Sequence, residues 1–243
     1  MSTRYTRSVT ILPSRIDAHG RLSVPDTFDL FMDVATEAAG EMGVGFDFLK
    51  KRGMFWITVK TRIRFIERPP LLSRVQVSTW PEAPGEKRCD RYYEITDESG
   101  RPIVQGRTEW AIVSVLTGHP QRIDRLMPEG LVYDAGKAVC PEPFPMIDEA
   151  FPEPPFAGHR VVSTDIDMAR HMNNVAYVRA IANAFTVKEW KKLNVKQLDV
   201  IFRASAHEGD ALSLYRRAIP GGLDVRIALP DGTTSALARM LTE

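Results

Sequence analysis

The chain repeats itself, and the repeat limits the folds open to it more than any other feature. Asp17-Ala-His-Gly-Arg-Leu-Ser-Val-Pro leads into an apolar segment from Pro25 to Met42. Asp167-Met-Ala-Arg-His-Met-Asn-Asn-Val leads into a second one from Val175 to Trp190. In both, an aspartate precedes the helical stretch by the same number of positions. Phe28, Phe31, Val34, Ala35, Ala38, Ala39 and Met42 recur at helical spacing in the first copy, with Ser23 as N-cap, Pro25 just inside, and Gly43 and Gly45 as the stop. Tyr177, Ile181, Ala184, Phe185 and Val187 do so in the second, where Asn173 or Asn174 supplies the cap.

After each helix the apolar period changes to two. Trp56 to Ile66 and Val75 to Trp80 flank Pro69-Pro70, and Leu198 to Phe202 and Ala211 to Tyr215 flank Glu208-Gly209. Counted from Phe65 and from Phe202, the two stretches align without a gap, Val75 falling on Leu212 and Val77 on Leu214. A hairpin closes each copy, turning at Asp97-Glu-Ser-Gly100 and at Asp231-Gly232. Gly106-Arg107 matches Ala238-Arg239 in the two return strands. Each copy thus reads as a strand, a long helix and four antiparallel strands. A sheet wrapped around one helix buries that helix on more than one face, which suits the apolar breadth of both helices. The expected organisation is α+β: a unit at residues 1–138, a proline-rich linker at 139–158, and a unit at 159–243.

Composition removes several function classes. A formal net charge of +1 lacks the basic excess of a dedicated nucleic-acid binder. No apolar run approaches the roughly 20 residues of a membrane-spanning helix. The first residues, Met-Ser-Thr-Arg-Tyr-Thr-Arg, lack the apolar core of a signal peptide. The two cysteines, Cys89 and Cys140, make neither a disulfide framework nor a metal site by themselves. A cytoplasmic, reducing setting is expected, with no metal and no cofactor.

The stretch from Asp165 to Tyr177 carries the chemistry. Two acids, one histidine and two asparagines crowd a short turn against a helix start, where backbone N–H groups and a partial positive charge favour a developing oxyanion. His171 has the one side chain type whose ordinary pKa, near 6.5, suits a base at neutral pH; the alternative is a bond to a backbone carbonyl. Asp167 either orients that histidine or only closes the turn. Its counterpart Asp17 has Arg21, not histidine, at the aligned place, which favours a structural share.

Asp17-Ala-His-Gly, Ala38-Ala-Gly-Glu, the run from Gly53 to Pro69, Trp110-Ala-Ile-Val, and Asp165-Ile-Asp with His171-Met-Asn-Asn-Val and Tyr177 together resemble the acyl-ACP thioesterases. The resemblance covers almost the entire chain. It implies a double hotdog, two tandem units each with a long central helix wrapped by an antiparallel sheet, with the acyl-chain pocket in the first unit and the catalytic motif in the second. It implies an aspartate, asparagine, histidine and glutamate that activate water, and acyl carrier protein as partner. Asp167 and His171 match. Ala169 stands at the asparagine position, and Ser205, placed on the strand after the helix, stands at the glutamate position.

Five catalytic candidates result: His171, Asp167, Asn174, Ser205 and His207. Asn174 fits a helix-start brace; His207, two residues beyond Ser205 and so on the same strand face, is either a substitute for the missing glutamate or only a polar residue beside the Glu208-Gly209 turn. Trp56, Met54, Phe28 and Phe31 are core residues or the lining of an acyl slot. At about 0.8 kcal/mol per buried methylene, the length of such a slot decides the substrate. Arg15, Arg62, Arg64, Arg203, Arg216 and Arg217 offer charges to an acidic carrier or to a phosphopantetheine phosphate. The expected function is hydrolysis of acyl-acyl carrier protein thioesters to free fatty acids. The alternatives are a non-hydrolytic acyl-thioester binding protein and an acyl-CoA thioesterase. Oligomeric state stays open, a homodimer included.

Overall fold

The structure, a computed structural model, describes residues 2–134 and 138–242. Positions 1, 135–137 and 243, which the expected units include, lie outside the described residues. The chain divides into two compact units, Met1–Glu142 and Pro143–Glu243.

The first unit runs β1 (Tyr5–Thr10), α1 (Val24–Glu41), α2 (Phe46–Lys50), β2 (Met54–Phe65), β3 (Arg74–Pro81), β4 (Cys89–Thr96) and β5 (Pro102–Ser114). Its strands pair antiparallel in the order β1-β3-β4-β5-β2. Ser23 caps α1 by accepting from the Asp26 N–H, and Pro25 sits in the first turn, where its missing N–H costs nothing. Gly43, at φ 77°, lets the chain leave the helix in the left-handed region. Phe28, Leu30, Phe31 and Val34 are fully buried, and α1 packs on β1 and β3. Phe31 stacks on Tyr93 with ring centroids 4.5 Å apart. Gly106 permits this approach, because a Cβ there would run into the Phe31 ring.

The second unit repeats the plan: β6 (Ala157–Arg160), α3 (Asn174–Asn183), α4 (Val187–Leu193), β7 (Gln197–Phe202), β8 (Ala211–Ile219), β9 (Gly222–Ala228) and β10 (Thr234–Leu241). Its antiparallel order, β6-β8-β9-β10-β7, matches that of the first unit strand for strand. Each unit is a hotdog, and the chain is an α+β double hotdog. The helical stretch from Val175 to Trp190 is not continuous, however. Thr186 and Glu189 form a capping box that starts a new helix, so the central helix of this unit ends at Asn183. The signature Thr-x-x-Glu was present in the sequence and outweighs the apolar period.

The proline-rich segment has neither helix nor strand from 139 to 156, β6 taking up its last two residues, yet side chains hold it. Arg62 donates to the Glu142 carbonyl at 2.9 Å, and Arg64 reaches the Glu142 carboxylate at 2.9 Å. In the second unit Ile147 and Phe151 pack with Ile201 and Leu237, and Arg217 donates to the Ala150 carbonyl at 2.8 Å.

Cross-strand charge pairs stiffen the sheet of the second unit. The Asp224 side chain is fully buried and takes Arg239 on both oxygens, at 2.7 and 2.9 Å, with Arg217 at 3.0 Å. Burial alone raises its pKa, but the hydrogen bonds and charges of the two arginines outweigh that and hold it below 3.8. A depressed folded pKa contributes stability that is present above the ordinary carboxylate value and lost as pH falls through the folded one. Asp224→Asn should therefore cost on the order of 3 kcal/mol near neutral pH and flatten the acid limb of stability. Urea unfolding across a pH series measures both; parallel curves for the two proteins would contradict the assignment.

Candidate active site

Two loops, one in each unit, share the same backbone hydrogen bonds. In the first, the Asp17 N–H donates to the Arg21 carbonyl (2.8 Å), the Gly20 N–H to the Asp17 carbonyl (3.0 Å), the Ser23 N–H to the Arg15 carbonyl (2.9 Å), and the Leu22 N–H to the Pro69 carbonyl (2.9 Å). In the second, Asp167 donates to His171 (3.0 Å), Arg170 to Asp167 (3.0 Å), Asn173 to Asp165 (2.8 Å), and Met172 to Ala206 (2.8 Å). One carboxylate oxygen closes each loop. Asp17 Oδ1 accepts from the His19 and Arg21 N–H groups at 2.9 and 3.4 Å, and Asp167 Oδ1 from Ala169 and His171 at 2.8 and 3.4 Å. Gly20 turns the first loop at φ 68°; Arg170 does so in the second at φ 62°, where a Cβ adds strain.

The side chains differ where the backbones agree. The remaining oxygen of Asp17 binds Arg68 at 2.5 Å, and Arg21 donates to the Arg68 carbonyl at 3.0 Å. The gapless alignment places Ser205 at the Arg68 position, Ala206 at Pro69 and His207 at Pro70. Ser205 is exposed and does not reach the carboxylate. Asp167 Oδ2 consequently has no hydrogen-bond partner among the described residues. One loop has its carboxylate closed by Arg68; the other leaves that oxygen open and brings two imidazoles together.

His171 is half-buried and His207 exposed. Their rings meet edge to face with centroids 4.9 Å apart. Neither imidazole makes a hydrogen bond to a described protein group, so their ring nitrogens are open to a ligand, and His171 is not spent on a backbone carbonyl. Two neighbouring imidazoles accept or donate a proton without further partners. Asp167 stands close by, but its recorded hydrogen bonds go to backbone N–H groups and not to the histidine ring.

The placement of Ser205 and His207 on a strand is corrected here. β7 ends at Phe202; the Arg203 N–H still donates to the Ser235 carbonyl of β10 at 2.9 Å, but residues 204–210 form a loop held by bonds outside the ladder. The Ala206 N–H donates to the buried Tyr177 hydroxyl at 3.1 Å, and the His207 N–H to Asp210 Oδ2 at 2.8 Å. Tyr177 also contacts Ser235 Oγ at 2.8 Å, and Ser235 donates to the Ala204 carbonyl at 2.6 Å. Ser205 and His207 therefore share no strand face; what the fold brings together is His207 and His171. At the helix start Asn173, not Asn174, is the cap, accepting from the Val175 N–H at 2.7 Å. The Asn174 N–H has no acceptor among the described residues. His159 is occupied by Asp165 at 2.9 Å.

In the first unit Phe28 and Phe31 are fully buried, while Met54 and Trp56 are half-buried against Leu49, Cys89, Ile112 and Ile123. Trp56 donates to the Val44 carbonyl at 2.9 Å and meets Trp110 edge to face. The Cys89 thiol in this cluster is pushed up to about 12 by burial, so it stays neutral. Among the described residues no group of His, Cys, Asp or Glu is arranged to hold a metal ion, and no helix is long and apolar enough to cross a membrane.

The family model for the acyl-ACP thioesterase N-terminal domain matches residues 2–129, and that for the C-terminal domain matches residues 151–234. The chain belongs to the acyl-ACP thioesterase family. It is 22% identical over 211 residues to the oleoyl-acyl carrier protein thioesterase 2, chloroplastic, of Arabidopsis thaliana, covering 79% of this chain and 55% of that protein. It is 23% identical over 186 residues to the palmitoyl-acyl carrier protein thioesterase, chloroplastic, of Gossypium hirsutum, covering 72% and 45%. The chain thus spans about half the length of these curated relatives. Among solved structures, an acyl-ACP thioesterase from Bacteroides thetaiotaomicron superposes with a TM-score of 0.84 at 20% identity, covering 99% of this chain and 98% of that one. The 12:0-ACP thioesterase from Umbellularia californica does so with 0.78 at 15%, covering 99% and 97%. At these identities the structural likeness establishes the fold.

Tyr177 is the residue whose part the sequence did not disclose, since helical spacing marks it only as core. Tyr177→Phe leaves the buried Ala206 N–H without its acceptor, at a cost of about 1–3 kcal/mol. It should also shift the ring resonances of both His171 and His207. A variant with wild-type unfolding and unchanged histidine spectra would exclude Tyr177 as the anchor of the His207 loop.

Proposed function

We propose that the protein hydrolyses acyl thioesters carried on acyl carrier protein and releases free fatty acids in fatty acid biosynthesis. The observation that carries the reading is the pair of imidazoles, His171 and His207, in contact and without hydrogen bonds to the described residues, at the place that the other unit closes with Arg68. Family membership supplies the substrate class, and the pair supplies chemistry suited to it.

In the proposed reaction His171 takes a proton from a water molecule, and the water oxygen attacks the thioester carbonyl. The negative charge that develops on the carbonyl oxygen suits the unpaired Asn174 N–H at the start of α3. The carbon–sulfur bond then breaks, and the imidazolium returns the proton to the departing sulfur, giving a carboxylic acid and the carrier's thiol. His207, whose ring packs edge to face on His171, supplies a second imidazole beside the departing sulfur. The Asp167 carboxylate holds the loop through the Ala169 and His171 N–H groups. This assignment uses neither an asparagine at 169 nor a glutamate at 205.

Recognition of the carrier is assigned to arginines that flank this loop. Arg170 and Arg203 are exposed, and their side chains have no partner among the described residues. Arg62, Arg64 and Arg217 are instead engaged by Glu142 and Asp224, which removes them from the carrier-binding set. An acidic carrier or a phosphopantetheine phosphate suits free guanidinium groups.

A second reading, binding without hydrolysis, draws on Ala169 and Ser205, exposed positions without the family's asparagine and glutamate. Release of free thiol from acyl-carrier-protein and acyl-CoA thioesters separates these readings and ranks the carriers. His171→Ala should lower turnover at least about a hundredfold with little change in stability, and His207→Ala should do the same. Ser205→Arg should also silence the enzyme by giving Asp167 the partner that Arg68 gives Asp17, while leaving the protein folded. Full activity in Ser205→Arg would sink the open-loop account.

The half-buried Met54 and Trp56 are proposed to line the acyl slot. Trp56→Ala should move the preference toward longer or bulkier chains, whereas equal loss at every length would make it plain core.

A further inference from the structure

Arg91 is a buried cation with no carboxylate partner among the described residues. Two arginines of the described chain are buried, Arg62 at 4% exposure and Arg91 at 7%. Arg62 has the Glu142 carboxylate at 3.5 Å and its carbonyl at 2.9 Å. Arg91 has only the Thr79 hydroxyl at 3.3 Å and the Met42 sulfur at 3.7 Å. A guanidinium offers five N–H donors, and no carboxylate of the described residues pairs with these. Burial pushes its pKa down, yet an arginine stays charged under ordinary conditions. Leaving a desolvated charge so poorly matched is costly unless something else completes it.

The surroundings of Arg91 are polar in a specific way. Cys89, Arg91, Tyr93 and Ile95 alternate along β4 and so share a face. Arg91 lies directly opposite Thr108 on β5, which in turn lies opposite Thr61 on β2. Thr61, Thr79 and Thr108 are each at most 1% exposed. This face is the one α1 covers, since Phe31 stacks on Tyr93. The Tyr93 hydroxyl takes the Trp110 indole N–H at 3.3 Å, and Trp110 meets Trp56. Arg91 thus lies on the same strand face as Tyr93, two residues away, and Tyr93 is joined through Trp110 to Trp56, which is assigned above to the acyl slot.

We propose that Arg91 selects acyl chains whose far end carries a carboxylate, which its planar guanidinium and the neighbouring hydroxyls would bind where a terminal methyl would leave the charge unmatched. The inference rests on reading the first unit as the acyl-chain pocket. It turns that pocket from a measure of length into a reader of end-group chemistry. A bidentate pair with a carboxylate fits the geometry of a guanidinium and adds direction as well as strength.

Binding can be measured without turnover. Acyl-pantetheine analogues in which an amide replaces the thioester are compared by calorimetry on the full-length protein, in pairs of equal length ending in a carboxylate or in a methyl. The carboxylate-ended member should bind at least about tenfold more tightly, the lower bound for one hydrogen-bonded charge pair. Arg91→Met should reverse the order, and Arg91→Lys should keep part of it. Equal or tighter binding of the methyl-ended analogue to the wild type would overturn the proposal, and so would an Arg91→Lys or Arg91→Met protein with the wild-type ratio. If Arg91→Met does not fold, the wild-type ratio and the lysine variant still decide. The hydrolytic reading is tested separately by thiol release from the matching thioesters. Discrimination in the analogues without any hydrolysis would retire that reading and leave the subsite standing.

Discussion

A single carboxylate oxygen accepting two backbone N–H groups sets the geometry on which both units depend. Asp17 and Asp167 each close a tight loop that enters a helix, and each loop is then tied to the segment after the next strand through a backbone bond, to Pro69 or to Ala206. Once the backbone is fixed in this way, side chains distinguish the copies, and three positions bear most on the carboxylate and the imidazoles. Arg21, Arg68 and Pro70 in the first unit face His171, Ser205 and His207 in the second. An arginine–carboxylate pair occupies the remaining oxygen of Asp17 in one loop. A short serine frees the corresponding carboxylate oxygen and lets two imidazoles meet.

The two units are also held by different means. The first relies on aromatic packing, with Phe31 on Tyr93 and a glycine at position 106 that admits the ring. The second relies more on polar contacts, with Tyr177 and Ser235 joining Ala204 and Ala206, and Asp224 joining Arg217 and Arg239. Such networks are directional, so they fix loops more sharply than apolar contacts do. The loop of residues 204–210 needs that precision, because it carries His207.

Much of this architecture was legible in the sequence. The duplicated aspartate-to-helix spacing gave two units, and the change of apolar period gave the strands on either side of Pro69-Pro70 and of Glu208-Gly209. The cap at Ser23 followed from one residue; that at Asn173 needed the structure to separate it from Asn174. The strand assignment for Ser205 and His207 failed because alternation continues past Phe202, whereas the backbone there is captured by Tyr177 and Asp210, partners distant or irregular in sequence. The contrast between Arg68 and Ser205 was already contained in the gapless alignment, but its meaning depended on seeing Arg68 on Asp17. Arg91 was hidden for a related reason: a charged residue in an alternating strand reads as solvated until its face is known.

The break at Thr186 has a consequence for how the second unit moves. α4 has no buried residue; its capping box and the contact of Phe185 with Trp190 hold it. α1, by contrast, runs unbroken through 18 residues and buries nine of them. A short helix with so little burial opens locally at low free energy, well before the sheet does. Its amides, from Val187 to Leu193, belong to the fast tier of native-state hydrogen exchange, while those of α1 belong to the slow one. The duplicated plan therefore leaves the second unit with one weakly held helix directly after the helix bearing Tyr177.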